Sequence, residues 1–431
     1  MQTTKDKIKL SKSTVFTENK LNCSGCGACA KICKQSAITM TEDSEGFLFP
    51  KLNTNKCIQC GFCDQICPEV NSHQNNPIDQ QVCYIATNTD DNYSKNSATI
   101  GICTMIAEYI LSIGGYVFGV VLDEKEWRAK HVCVTTNDDL QKIRNSKYIQ
   151  SDTEDTFKQV KVFLETGKLV LYTGTPCQIA GLKAFLRKDY INLYTIDLIC
   201  HGTYSYKIIR KEIDFWQRKF RGPISNFRFR SKHRFPWSYG GVINFDITQN
   251  NTIKHIERHG SCSPAYRCYA YSGDGKNYIL RETCYACKFR DRGRYADFTV
   301  GDAWGIKKLH SHIFTGRNTR TGISLIFCNT EKANILLSQI KSQLNLIPIK
   351  QDQAFIQEAL LPAYRSIPKE RYMIYQNLDR IEWETLISEL FHINFDKIHK
   401  QFIRNNYISK HQNRIKIIIK HLLFYNRWNK K

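Results

Sequence analysis

Cys23-Ser24-Gly25-Cys26-Gly27-Ala28-Cys29-Ala30-Lys31-Ile32-Cys33 and Cys57-Ile58-Gln59-Cys60-Gly61-Phe62-Cys63-Asp64-Gln65-Ile66-Cys67-Pro68 are two copies of one pattern, C-x2-C-x2-C-x3-C. Three closely spaced thiolates can hold three irons of one 4Fe-4S cubane, and the fourth ligand must then come from elsewhere. In paired runs of this spacing the fourth cysteine of each copy serves the other cluster. Cys23, Cys26, Cys29 and Cys67 therefore form one expected ligand set, and Cys57, Cys60, Cys63 and Cys33 the other. Gly25, Gly27 and Gly61 supply the permissive backbone that tight loops around a cluster need. Structural zinc prefers two C-x2-C pairs at longer separation. The spacing points to iron and sulfide. Lys34 in the first copy stands where a proline is usual.

Around these runs lies a chain of 431 residues, a length suited to two or three domains. Hydrophobic residues make up 42% and charged residues 24%, so an ordinary soluble core is available. Eight of the 18 cysteines fall between residues 23 and 67. No apolar leader precedes them and no run of apolar residues is long enough to span a bilayer. Disulfide-scaffold and spanning-helix readings fall away. The expectation is a reduced, cytoplasmic, basic protein whose cysteines bind metal. An N-terminal ferredoxin-like α+β module is expected over residues 1–77, ending in the polar stretch from Glu69 to Pro77, with a hairpin turn at Glu45-Gly46-Phe47.

Residues 78–345 alternate short apolar runs with helical periodicity, as α/β domains do. Lys168 to Gly174 reads as a buried strand, Pro176 opens a helix to about Arg187, and Ile191 to Ile199 is the next strand. This βαβ unit puts Cys177 at a helix start and Cys200 past a strand end, on the rim where open α/β sheets bind ligands. With Cys284-Tyr285-Ala286-Cys287 they make four possible ligands of a third cubane, although zinc or a redox dithiol at Cys284 and Cys287 would explain half of the set. Cys83, Cys103, Cys133, Cys262, Cys268 and Cys328 read as small core residues. No G-x-G-x-x-G follows a strand and no Walker A loop is present, so a Rossmann nicotinamide site is unsupported.

The order of these blocks resembles that in the family of beta subunits of coenzyme F-420 hydrogenases and dehydrogenases. The resemblance rests on the double cysteine run, Gly114-Gly115-Tyr116-Val117-Phe118-Gly119, Ser146-Lys147-Tyr148-Ile149-Gln150-Ser151 and Gly174-Thr175-Pro176-Cys177-Gln178. It continues with Asp197-Leu198-Ile199-Cys200-His201-Gly202, the Cys284–Cys287 pair and Gly301-Asp302-Ala303-Trp304-Gly305. It implies an iron–sulfur flavin oxidoreductase that passes electrons between clusters, FAD and a two-electron acceptor. Cys177, Cys200, Cys284 and Cys287 are then the third cluster's ligands. Ser146, Lys147, Tyr148, Gln150, Gly174 and Thr175 become flavin-pocket residues, and no catalytic residue is assigned. Bacterial members of this family without the deazaflavin resemble proteins of surface-polysaccharide gene sets, so polysaccharide biosynthesis is one implied setting. The family's Ser-Ser-Gly-Gly turn reads Ala98-Thr99-Ile100-Gly101 here. A β-branched residue cannot take positive φ without strain, so either the pocket is altered or the turn does not serve it.

The formal net charge is +22, and residues 397–431 supply ten Lys/Arg with no acid. Interleaved with Ile403, Tyr407, Ile415, Ile418, Ile419, Leu422, Leu423, Tyr425 and Trp428, they read as the end of a basic helical region over 346–431. An anionic membrane face is one expected partner, and a helix docked on its own domain is the competing reading. A ferredoxin or another redox protein is the expected electron donor, and a small molecule the acceptor. An electron-transfer adaptor with clusters only is the alternative function. Nucleic acid is not expected, since Phe227-Arg228-Phe229-Arg230-Ser231-Lys232 suits an anionic cofactor equally well.

Overall fold

The computed structural model describes residues 15–16, 20–71, 75–237, 241–270, 274–306, 319–355 and 366–404. Two short strands, β1 (Ile38–Glu42) and β2 (Leu48–Leu52), form the antiparallel hairpin of the N-terminal module, with its turn around Gly46. The central region contributes β3 (Val82–Asn88), β4 (Tyr116–Asp123), β5 (Arg128–Val134), β6 (Ser151–Asp152), β7 (Val170–Gly174) and β8 (Leu193–Leu198). It continues with β9 (Ile224–Arg228), β10 (Val242–Gln249), β11 (Thr252–His259), β12 (Phe298–Asp302), β13 (Ser324–Cys328) and β14 (Leu344–Ile349).

Nine of these strands make one mixed sheet in the order β14-β3-β13-β12-β8-β7-β4-β5-β6. Its centre, β4, β7, β8 and β12, is parallel. The helix Pro176–Leu186 is the crossover between β7 and β8, and Pro176 occupies its first turn as the sequence predicts. The flanks differ from a parallel α/β sheet. β13 runs antiparallel to both β12 and β3, β14 is antiparallel to β3, and β5 to β4. The boundary expected at residue 345 falls inside β14. A separate three-stranded sheet, β11-β10-β9, packs on the helix Tyr206–Phe220.

The largest core joins parts that the sequence places in three domains. Phe47 and Leu48 of the hairpin, Trp216 of the Tyr206–Phe220 helix, and Ile374, Trp383 and Ile387 of two C-terminal helices share one buried cluster. Glu212 lies within it, and its carboxylate accepts from Trp216 Nε1 (2.7 Å), Trp383 Nε1 (3.0 Å), Ser263 Oγ (2.6 Å) and Ala265 N (3.0 Å). A buried carboxylate is tolerated when its lone pairs are filled in this way. The stretch after Cys67 is also docked. Lys288 Nζ donates to the Glu69 carbonyl (2.5 Å), Asn76 N to Arg294 O (2.9 Å), and Gln81 Nε2 to Arg292 O (2.8 Å).

Candidate functional site

The two cysteine runs fold alike. In each, the glycine after the second cysteine takes positive φ, 80° at Gly27 and 74° at Gly61, and starts the short helix that carries the third cysteine. A side chain with Cβ is strained there, whereas glycine is not. Cys26 and Cys29 are buried, Cys60 is exposed, and the other five are partly exposed. Burial, together with neighbouring cysteines, pushes the free thiols of Cys26 and Cys29 well up, Cys26 sensing Cys29 and Cys67, and Cys29 sensing Cys23 and Cys67. Cys26 also senses Cys177 and Cys29 also senses Cys63, so the first run lies close to members of both other expected sets. Ala37 N donates to Cys33 Sγ at 3.3 Å.

The rim of the central sheet brings the other four cysteines together. Cys177 starts the helix after β7, Cys200 follows β8, and Cys284 and Cys287 come from the segment before β12. All four line one cavity with Ser24, Gln150 and Arg294. Burial pushes the Cys177 thiol up to about 12 and Cys200 to about 11, and each also senses Cys284. A helix start favours a thiolate, but at Cys177 burial outweighs it and the free thiol keeps its proton. Metal coordination reverses this, because a liganding thiol is deprotonated outright. One backbone donor already aims at sulfur, with Gly202 N 3.4 Å from Cys200 Sγ, and the Thr175 hydroxyl lies 3.2 Å from Cys177 Sγ while donating to Gln178 Oε1. Buried thiols with a directed donor fit an iron–sulfur cluster. Among the described residues no three His, Cys, Asp or Glu side chains converge on a single-ion site.

Against this cavity lies a pocket of about 740 Å³, lined by Ser146, Lys147, Tyr148, Gly174, Thr175 and Trp304 among others. Cofactor sites run to about 300–1,000 Å³, so its size and its strand-end position suit a flavin. Arg144, Lys147, Arg230 and Lys276 line it as cations, with Asp302 held by Arg230 and by Trp237 Nε1 (2.7 Å). Lys147 Nζ donates to the carbonyls of Ile143 (3.1 Å) and Arg144 (3.0 Å). Burial, then Arg228, depresses its ammonium to about 7. Tyr148 meets Tyr266 and Tyr269 edge-on and tilted, with ring centres 5.8 and 5.1 Å apart.

Gln150, expected in the flavin pocket, stands outside it. Its Nε2 donates to Ser24 O (2.8 Å) and Gly25 O (2.9 Å), so it clamps the first cysteine loop. Its neighbours Ile149 and Ser151 do line the pocket, whereas the Gln150 amide is drawn the other way by the Cys23 loop and by Arg281 Nη1, which donates to its Oε1 at 2.9 Å. Ile100 resolves differently from both expectations. Its side chain is fully buried in the core, Gly101 carries the positive φ of 87°, and Ala98, Thr99 and Gly101 line the pocket. Sequence reasoning missed Arg281, which reaches the Cys23 loop. Its position three residues before Cys284 was the available signal.

Residues 167–352 match the family model for the C terminus of the beta chain of coenzyme F420 hydrogenase/dehydrogenase, and residues 22–71 match a 4Fe-4S dicluster domain. "Coenzyme F420-dependent sulfite reductase" of Methanocaldococcus jannaschii is 27% identical over 294 residues, covering 65% of this chain and 42% of that protein. One of the subunits of the F(420)H(2) dehydrogenase of Methanosarcina mazei is 22% identical over 202 residues, covering 44% of this chain and 56% of its own. The chain thus spans less than two thirds of either relative. A chain of the F420-reducing NiFe hydrogenase complex of Methanosarcina barkeri superposes with a TM-score of 0.41 at 17% identity, covering 71% of this chain and 91% of that one. Residues 167–352 of this chain are a C-terminal domain of the family of coenzyme F420 hydrogenase/dehydrogenase beta subunits, and residues 22–71 are a 4Fe-4S dicluster domain.

Proposed function

We propose that the chain is an iron–sulfur flavin oxidoreductase with three 4Fe-4S clusters, two in the dicluster domain and one on Cys177, Cys200, Cys284 and Cys287. One observation carries this reading. The four-cysteine cavity and the large pocket share a wall, with Ser151, Thr175, Gln178, Cys200, Gly202 and Thr203 lining both. A cluster in the first would sit beside a flavin in the second. Such a flavin would exchange electrons arriving singly from the clusters for a two-electron transfer to the acceptor. Lys147 and Arg144 would meet its phosphates or reduced ring, and Thr175 would separate the two groups. Exposed Cys60, with Ile58 also exposed beside it, marks the second cluster as the inlet for a ferredoxin or another redox protein. From there the path leads through the buried first cluster to the third.

The test is anaerobic purification with iron, sulfide and flavin analysis. About twelve irons and one FAD per chain are expected. About eight irons without flavin would favour the clusters-only adaptor.

The basic tail belongs to the same proposal as a contact with an anionic membrane face. Among the described residues no helix is long and apolar enough to cross a membrane. Residues up to 404 dock on the fold, with His399 against Trp216 and Phe402 against Phe235. Residues 405–431 lie outside the described residues, so the membrane reading rests on their composition. In liposome sedimentation, full-length protein should bind anionic vesicles and lose binding at high salt. A chain ending at 404 should not bind. Equal sedimentation of the two removes the tail from the account.

A further inference from the structure

Arg230, Arg294 and Arg371 are buried, and each faces a carboxylate: Asp302, Asp197, and Glu45 with Glu282. Arg281 is equally buried, at 1% exposure, yet among the described residues it has no carboxylate at ion-pair distance. Its Nε donates to the Cys23 carbonyl (2.7 Å), Nη1 to Gln150 Oε1 (2.9 Å), and Nη2 to Cys23 Sγ (3.5 Å). The guanidinium lies 3.9 Å from the ring centre of Phe49 and 5.7 Å from that of Phe47. A permanent cation is thus walled in by two rings, two amide oxygens and one sulfur. Neutral oxygens and cation–π contacts do not offset the burial of an unpaired ion. A counter-charge is required.

We propose that the counter-charge is the anionic cluster held by Cys23, Cys26, Cys29 and Cys67, and that Arg281 raises that cluster's reduction potential. The inference rests on the cluster reading above. Four thiolates leave a cubane net negative, and one electron added without a proton makes it more so. A fixed cation beside one of its sulfurs therefore favours the reduced form. Arg281 is a positioning residue as well as a charge. With Gln150 it fastens the Cys23–Gly25 loop, and Thr283, two residues on, donates to the Cys23 carbonyl at 2.7 Å. The segment that ends in Cys284 thereby fixes both the place and the potential of the first cluster. Electrons arriving from the second cluster are held there, beside the third.

Full-length wild-type, Arg281→Lys and Arg281→Gln proteins, prepared anaerobically, are compared by iron and sulfide content and by EPR-monitored titration with dithionite. The Gln variant should lower the potential of a single cluster by about tenfold in its reduction equilibrium, which is about 59 mV for one electron. The Lys variant should stay near wild type. Loss of that cluster's iron in the Gln variant alone also supports a charge role. Unchanged potentials with full iron, or equal effects of Lys and Gln, overturn the proposal. Wild-type protein with no 4Fe-4S signal overturns it together with the cluster reading.

Discussion

Lys147 shows how one side chain can carry both structure and response. Its ammonium caps two carbonyls at the end of the helix Asn137–Ile143, and burial depresses it to about 7. Below that pH it is charged and can meet an anionic ligand, while above it the proton is lost. Binding an anion raises the lysine's affinity for its proton, so affinity for the anion falls as pH rises through 7. On the proposed flavin reading, affinity for the flavin should therefore decrease from pH 6 to pH 9, by up to about tenfold per unit at the steepest. Lys147→Gln should bind weakly at pH 6 and show a flat profile. Fluorescence titration of flavin into flavin-stripped protein measures both, and a sloped profile in the Gln variant would assign the effect to another group. The family resemblance implies a pocket role for this lysine, but its lowered hold on the proton is not legible in the sequence, because Arg228 lies 81 positions away and no local pattern records it.

At the scale of elements, the helix Pro176–Leu186 does two jobs. Its first turn carries Cys177, and its middle lies against the first cysteine run. A Cβ at Gly181 would stand 2.9 Å from both Cβ and Sγ of Cys26. On an exposed helix, Gly→Ala would stabilise by about 1 kcal/mol through propensity. Here the contact reverses the sign, because Cys26 is fixed by its loop and cannot yield. Gly181→Val should release iron from the first cluster, about four per chain, while the remaining clusters keep their EPR signals. Full iron retention would mean that helix and loop can separate without consequence. This helix and its flanking strands were legible in the sequence because β7, helix and β8 are consecutive and their periodicities switch cleanly. The antiparallel flanks were not. β3 pairs with β13 and β14, whose residues lie more than two hundred positions away, and no local periodicity encodes that register. The eight N-terminal cysteines were legible from spacing, while the clamp made by Gln150 and Arg281 spans 125 and 258 positions.

For the molecule as a whole, Arg371 is the joint between regions that look independent in sequence. It is fully buried, and its Nε donates to Leu280 O at 2.7 Å. Nη2 meets Glu45 at 2.6 Å and Nη1 meets Glu282 at 3.3 Å. One guanidinium thus ties the β1–β2 turn, the segment leading to Cys284 and a C-terminal helix. The hydrophobic core crosses the same three regions, so the dicluster domain and the sheet domain are held as one body around the proposed electron path. Cutting the chain at 345 would expose Trp383's partners, and residues 78–345 alone should aggregate. Removing one partner of a buried ion pair costs about 3–5 kcal/mol, since the remaining charges lose their compensation. Arg371→Met leaves Glu282 without its partner and Glu45 with only Lys20, at 3.7 Å, and should lie at the low end of that range, whereas Glu45→Gln keeps the Glu282 pair and should cost less. Anaerobic denaturation of the iron-loaded protein, followed by tryptophan fluorescence and cluster absorbance together, distinguishes the cases. If Arg371 is the joint, the Met variant loses cluster absorbance and core fluorescence in one transition at lower denaturant. A transition in which the clusters are lost first and the core survives unchanged would show that the domains are stable without it.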